Sequence, residues 1–197
     1  MHEYSIAQGV RKWTWCVAML LALAISYGYM LLIEKFPSIE MPAIFESPSL
    51  LGVFGVLMFV YDKWLWKVKI CGIKLSSIPD YNGTWEGAIC SSHNGGSKIS
   101  CTLEIKQTWS EIVCRLKTDK SCSYSVAASI SAEIGPNEGL VWRYINTPRN
   151  NCKADMQMHH GVSRATINNV GELECDYYNC SRERNTCGTI KFRKRVS

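Results

Sequence analysis

The chain has 197 residues, enough for one ordinary domain and an appendage, and its 22 Lys and Arg against 17 Asp and Glu leave a formal charge of +5. That mild excess excludes a nucleic-acid-binding tract, and no basic run interleaves with aromatics. The mean hydropathy of -0.06 hides a division: residues 13 to 66 are largely apolar, while residues 80 to 197 have a soluble domain's composition with 15 Lys and Arg against 12 Asp and Glu, a net +3 that suits a small anionic ligand.

The first element, "WTWCVAMLLALAISYGYMLLI" from Trp13 to Ile33, carries no charge. About 20 apolar residues rising 1.5 Å each cross a hydrocarbon core of roughly 30 Å. It is too long for the apolar region of a cleavable signal, and no small-residue cleavage site precedes polar sequence. A spanning helix over about 13–34 is expected. The second apolar stretch, "SPSLLGVFGVLMFVYDKWLWKVK", is uncharged only from Ser47 to Tyr61 before meeting Asp62. A helix over about 48–66 would set Tyr61, Trp64 and Trp66 at the interface with Lys63 and Lys67 snorkelling; an interfacial or re-entrant helix is the alternative.

The flanks suggest orientation. Arg11 and Lys12 precede the first span, Lys63, Lys67, Lys69 and Lys74 follow the second, and the loop "EKFPSIEMPAIFES" holds one lysine and three glutamates. The positive-inside rule then gives a multi-pass anchor with both termini cytoplasmic and the connecting loop outside. Residues 1–78 are read as this hairpin and its linker, and residues 79–197 as a cytoplasmic β domain.

"PDYNGTWEG" opens that domain: Pro79, Asp80, Asn82 and Gly83 form turns, Thr84 and Trp85 form strands. Thereafter the period is two. In "KISCTLEIK", Ile99, Cys101, Leu103 and Ile105 share one face. "TWEGAICS", "EIVCRLKT", "YSVAASISAEI", "LVWRYINT", "MQMHHGVSRATI", "ELECDYY" and "TCGTIKFRKR" bring the count to eight if 155–167 is one strand kinked near Gly161. The connections are short, which predicts an eight-stranded antiparallel up-and-down barrel with an interior sized for side chains or one small ligand; a two-sheet sandwich is the rival.

The ten cysteines have irregular spacing, no C-x-x-C, and Cys101 and Cys114 in register with apolar neighbours, so they read as reduced core thiols rather than a disulfide framework. No metal site is expected, because His93, His159 and His160 fit no ligand spacing. Nor does any hydrolase, zincin or phosphate-loop motif occur, so the domain is read as a binder without a catalytic site or cofactor. Trp109 ends one strand, Lys120 and Ser123 lie in a hydroxyl-rich hairpin, Arg143, Tyr144, Asn146 and Arg149 lie in and beside "WRYINTPRNN", and Arg164 sits among small residues. Aromatic faces with Arg, Lys and hydroxyl donors match nucleobases and phosphates, and these eight residues are the candidate ligand contacts. For the aromatics the bland alternative is core packing, and for the arginines a solvated outer face.

Two apolar helices, a linker and "YNGTWEG", followed by "IKQTWSEIVCRLKT", "SYSVAASI", "WRYINTPRNN", "HHGVSRATI" and "CGTIKFRKR", resemble the two-transmembrane β-barrel effectors of bacterial cyclic-oligonucleotide-based anti-phage signalling (CBASS). The resemblance implies that a cognate cyclase supplies a cyclic di- or oligonucleotide, that the barrel binds it, and that the helices self-associate and breach the inner membrane in abortive infection. Two other readings stand beside it: a membrane-anchored, lipocalin-like carrier or sensor of a small apolar ligand, and a disulfide-bonded ectodomain on the outer side.

Overall fold

The structure, a computed structural model, describes residues 1–6, 10–35, 49–92, 98–131, 139–150, 157–180 and 185–195. The chain divides into two compact units, Gln8–Ser77 and a second made of Met1–Ala7 with Ile78–Ser197.

The helical unit holds α1 (Val10–Lys35) and α2 (Leu50–Lys63), which touch each other. By length and composition Arg11–Lys35 is long and apolar enough to cross a membrane. Trp13, Leu20, Leu23, Met30 and Leu32 are exposed along it. The second helix is shorter than expected. Its 14 residues rise only about 21 Å. Ser49 caps its start, its hydroxyl accepting from the Gly52 N–H at 3.0 Å, and Trp64, with φ -132°, leaves helical geometry at its end. A single 3-10 turn, Leu65–Lys67, follows with Trp66 buried and the Lys67 ammonium 5.3 Å from its ring centroid. A two-rung hairpin, β2 (Lys69–Ile70) with β3 (Ile73–Lys74), completes the unit.

The second unit is a large antiparallel sheet. Its strands are β4 (Gly83–Ser91), β5 (Lys98–Gln107), β6 (Glu111–Lys117), β7 (Ser121–Ser131), β8 (Gly139–Pro148), β9 (His159–Ile167), β10 (Leu173–Cys180) and β11 (Asn185–Lys194). Each pairs with the next, and β11 pairs with β4, so the order of hydrogen-bonded strands returns to its start. Residues 155 and 156 of the expected kinked strand lie outside the described residues, and the observed strand begins at His159.

A ninth strand was not legible. β1 (His2–Ile6), at the chain's N-terminus, lies between β6 and β7, antiparallel to the first and parallel to the second. "HEYSI" is short and half polar, and no neighbouring sequence shows where its partners are.

The opening turn explains its own sequence. Asn82 substitutes for a strand backbone: its carboxamide oxygen accepts from the Gln107 N–H at 2.8 Å and its Nδ2 donates to the Gln107 carbonyl at 2.9 Å. The Gln107 side chain answers by accepting from the Tyr81 N–H at 2.9 Å and donating to the Pro79 carbonyl at 3.1 Å. Asp80 accepts from the Asn82 N–H at 3.0 Å, an Asx turn. Buried Gln107 is thereby bonded through both its backbone and its carboxamide, and the first strand starts in register with β5.

Alternation then decides what lies inside. Trp85, Leu103, Ile105, Ile112, Cys114, Ile130, Leu140, Trp142, Ala165, Leu173, Ile190 and Phe192 are all buried and fill one end of the interior. Leu103 is 0 % exposed, so Leu103→Ala should cost about 2–5 kcal/mol. Denaturant unfolding of the full chain in detergent checks this; a cost well below that range would mean that the interior collapses around the gap.

Candidate functional site

The other end of the same interior is polar. Successive inward positions on β8 change from Leu140 and Trp142 to Tyr144 and Asn146, and facing positions on the neighbouring strands are Ser123, Ser163, Tyr177, Asn179, Thr186 and Ser91. Ser123, Ser163 and Asn146 are buried, and the Ser123 hydroxyl donates to the Asn146 carboxamide oxygen at 2.8 Å. The Tyr144 hydroxyl donates to Asn179 Oδ1, whose Nδ2 donates to Thr186 Oγ1 at 3.0 Å. A hydrogen-bonded chain of neutral groups therefore crosses β8, β10 and β11.

Two glycines make room for the tyrosines. Gly161 lies directly beside Tyr144, and a Cβ there would sit 2.3 Å from the Tyr144 hydroxyl oxygen. Gly188 lies beside Tyr177, and a Cβ there would sit 2.7 Å from its ring and 2.2 Å from the Cys90 carbonyl oxygen. Each ring thus covers backbone where a side chain would otherwise stand, a cross-strand aromatic–glycine pairing.

Electrostatically this end favours neutral forms. Burial, then the proximity of Tyr177 and Cys175, raises the Tyr144 phenol above its ordinary range, so it remains a donor at neutral pH. Burial likewise raises the Tyr177 phenol, against an opposing Ser91 hydrogen bond. Among the described residues no Lys, Arg, Asp or Glu occupies the inward positions just named.

The eight residues singled out in the sequence separate into three groups. Ser123, Tyr144 and Asn146 come together inside. Lys120 and Arg149 are exposed beyond the ends of β7 and β8, at the rim of this same end, and the Arg149 N–H donates to the Lys120 carbonyl at 2.9 Å. The remaining three are elsewhere. Arg143 is exposed on the outer face, because its neighbours Trp142 and Tyr144 both point inward. Arg164 is also outward, opposite Asp176, and lines a depression with Thr166, Glu174 and Lys191. Trp109 is buried in the β5–β6 turn at the apolar end, where its carbonyl accepts from the Tyr4 hydroxyl at 2.8 Å. Sequence reasoning missed Ser163, Tyr177, Asn179 and Thr186; the parity that puts Tyr144 inside was the available signal, since Tyr177 and Asn179 continue the face of Leu173 and Cys175.

Among the described residues no group of His, Cys, Asp or Glu is placed to hold a metal ion. Eight described cysteines are free thiols, of which Cys101, Cys114 and Cys175 are buried.

A family model described as "Cap15, cyclic dinucleotide receptor domain" matches residues 76–194. The chain is also similar to curated proteins called CD-NTase-associated protein 15. That of Yersinia aleksiciae is 31% identical over 149 residues, covering 75% of this chain and 70% of the relative. That of Escherichia albertii is 27% identical over 147 residues, covering 72% and 76%. The Staphylococcus schleiferi protein is 25% identical over 134 residues, covering 68% and 70%.

Burial raises the thiols of Cys101 and Cys175 to about 12, and that of Cys114 above the ordinary range as well. The unfolded chain ionises these thiols near 9.0, so it binds fewer protons than the fold above that pH and stability should fall as pH rises from about 9 toward 12. At mildly alkaline pH, iodoacetamide should modify exposed Cys71 and Cys187 in the native protein and spare Cys101 and Cys175. Peptide mapping that found Cys175 modified as fast as Cys187 would contradict the closed interior.

Proposed function

The chain belongs to the Cap15 cyclic dinucleotide receptor family, and from that premise we propose that it binds a cyclic dinucleotide at the polar end of the closed sheet, bases inward and phosphates at the rim. The observation that carries this reading is the neutral hydrogen-bonded lining of Ser123, Tyr144, Asn146, Ser163 and Asn179, with Lys120 and Arg149 exposed at its rim. A buried phosphate without a counter-charge is costly, whereas a nucleobase offers neutral donors and acceptors and a flat apolar face. The Asn146 and Asn179 carboxamides and the Tyr144 ring suit a base. Lys120 and Arg149, tied together through the backbone, suit the phosphates. A carrier of apolar ligands would want an aliphatic lining here instead.

Binding of this kind requires no catalysis, and the chain is read as the receptor half of an anti-phage effector whose ligand comes from a cognate nucleotide cyclase. The apolar α1 supports attachment to a membrane. In this reading α1 and α2 form a hairpin with both termini and the sheet on the cytoplasmic side, as the Lys and Arg flanks suggest. Ligand favours an assembled state by its differential affinity, and clustered hairpins, each with one short helix, thin and breach the inner membrane, ending the infected cell.

Calorimetric titration of the full chain in detergent with a panel of cyclic dinucleotides tests the site. Lys120→Ala and Arg149→Ala should each weaken binding about tenfold to a hundredfold, and Asn146→Ala should alter the preference among bases. Arg143→Ala and Arg164→Ala should leave affinity unchanged. Loss on removing Arg143 or Arg164, with Asn146→Ala neutral, would move the ligand to the outer face. The effector step is tested in bacteria: the inducible full chain should depolarise the inner membrane only when the matching nucleotide is present. Depolarisation independent of nucleotide would remove the sheet as trigger.

A further inference from the structure

One member of the sheet is joined to it differently from all the others. Strands β4 to β11 follow one another through local connections, whereas β1 is separated from β4 in sequence by the whole helical unit. Its place is a gap. β6 and β7 pair directly only at Arg115–Tyr124, Leu116–Ser123 and Lys117–Cys122, and this pairing ends beside Ser125, where β7 shifts register against β8. The backbone groups thereby exposed on both strands are taken up by β1: His2 and Glu3 against Ile112 and Glu111, and Tyr4, Ser5 and Ile6 against Ala128, Ser129 and Ile130.

The fork is chemically marked. Ser125 Oγ accepts from the Cys114 N–H at 2.9 Å and lies 2.7 Å from the His2 imidazole Nε2, so one hydroxyl holds both β6 and β1 where β6 leaves β7. One side chain keys β1 into the interior. Tyr4 is 2 % exposed, and its hydroxyl reaches the carbonyls of Thr108 and Trp109 at 3.1 and 2.8 Å. Without β1, the sheet would keep its cycle through the three β6–β7 rungs but would present two unpaired edges and an empty tyrosine pocket. An edge of that kind accepts an added strand.

We infer that the β6–β7 gap is a strand-acceptor slot for this chain's own N-terminal sequence, and that in concentrated copies it is filled by the strand of a second copy. The occupant is fixed by the fit already seen: an identical strand brings the same tyrosine, the same register and the same Ser125 contact, so exchange leaves every contact at the slot unchanged. The strand precedes α1, whose length and composition suit a membrane span, and copies held in one membrane meet at raised effective concentration. Exchange would then link the sheets of neighbouring copies in a way that needs no new surface. The inference does not depend on which ligand, if any, the polar end binds.

The test uses the full chain in phospholipid vesicles, without nucleotide. Ser5 and Ser129 are register neighbours across β1 and β7, so a variant carrying both Ser5→Cys and Ser129→Cys is prepared unlabelled and isotopically heavy. The two are mixed at increasing surface density, linked with a short bis-thiol reagent, and the peptides joining residues 5 and 129 are weighed. Mixed-mass linked peptides that increase with density are expected, and Tyr4→Phe in the same background, which removes the hydroxyl but keeps the ring, should speed their appearance. Linked peptides of single mass only, at every density and in both backgrounds, would show that β1 stays in its own sheet. Absence of any linkage between 5 and 129 would show that β1 does not occupy the slot.

Discussion

The pairing of β11 with β4 is the constraint on which the rest depends. Once those strands are bonded, every second residue of the sheet faces a finite interior that must be filled or left for a ligand, and the alternate residues face outward. That rule packs Leu103, Leu140, Leu173 and Phe192 together and, farther along the same strands, brings Tyr144, Ser163 and Asn179 together. Apolar and polar ends are not separate features; they are two stretches of the same inward positions. Glycine at 161 and 188 lets the tyrosines fold over neighbouring backbone and is thus as much a part of the polar lining as the hydroxyls.

The distribution of charge follows from the same rule. Acid–base pairs such as Glu104 with Lys117 and Arg115, and Glu172 with Arg193, occupy outward positions. Glu104 is held below its ordinary range chiefly by the Lys117 hydrogen bond. Such pairs at partly or fully exposed positions contribute little to stability but keep the outer face polar. Inside, among the described residues, the polar lining is built from groups that hydrogen-bond without ionising, and burial reinforces this by raising the tyrosine and cysteine values. The proposed site rests on this neutral lining: a dinucleotide ring would have two neutral bases to place in such an end and two phosphates to keep at its mouth.

Much of this could be read from the sequence. Strict alternation in "KISCTLEIK" placed Cys101, Leu103 and Ile105 on one face, where the structure buries them, and "PDYNG" marked the start of the sheet. Faces were harder than strands. Adjacent Arg143 and Tyr144 cannot both point inward, and the burial of Trp142 decides between them. Trp109 read as a strand end beside polar groups; only the distant N-terminal Tyr4, whose hydroxyl meets its carbonyl, shows that it belongs to the apolar end. The place of β1 lies beside a shift of β7 against β8 between Ser125 and Ala127, and its His2–Ser125 contact joins residues more than a hundred apart in sequence, so no local pattern encodes it.

The helical unit shows the complementary limit. Composition alone picks out α1 as membrane-compatible, because its exposed surface is apolar along most of its length. The end of α2 at Lys63 reflects a change of backbone at Trp64, which an apolar run ending in "YDKWLWK" does not announce. Where the ligand sits is decided by a cryo-electron microscopy structure of the full chain in detergent with a bound cyclic dinucleotide. Binding at the polar end places a base within hydrogen-bonding distance of Asn146 or Tyr144 and the phosphates beside Lys120 and Arg149. A nucleotide resting on the outer face against Arg143 or Arg164, with the polar end unchanged, would contradict it.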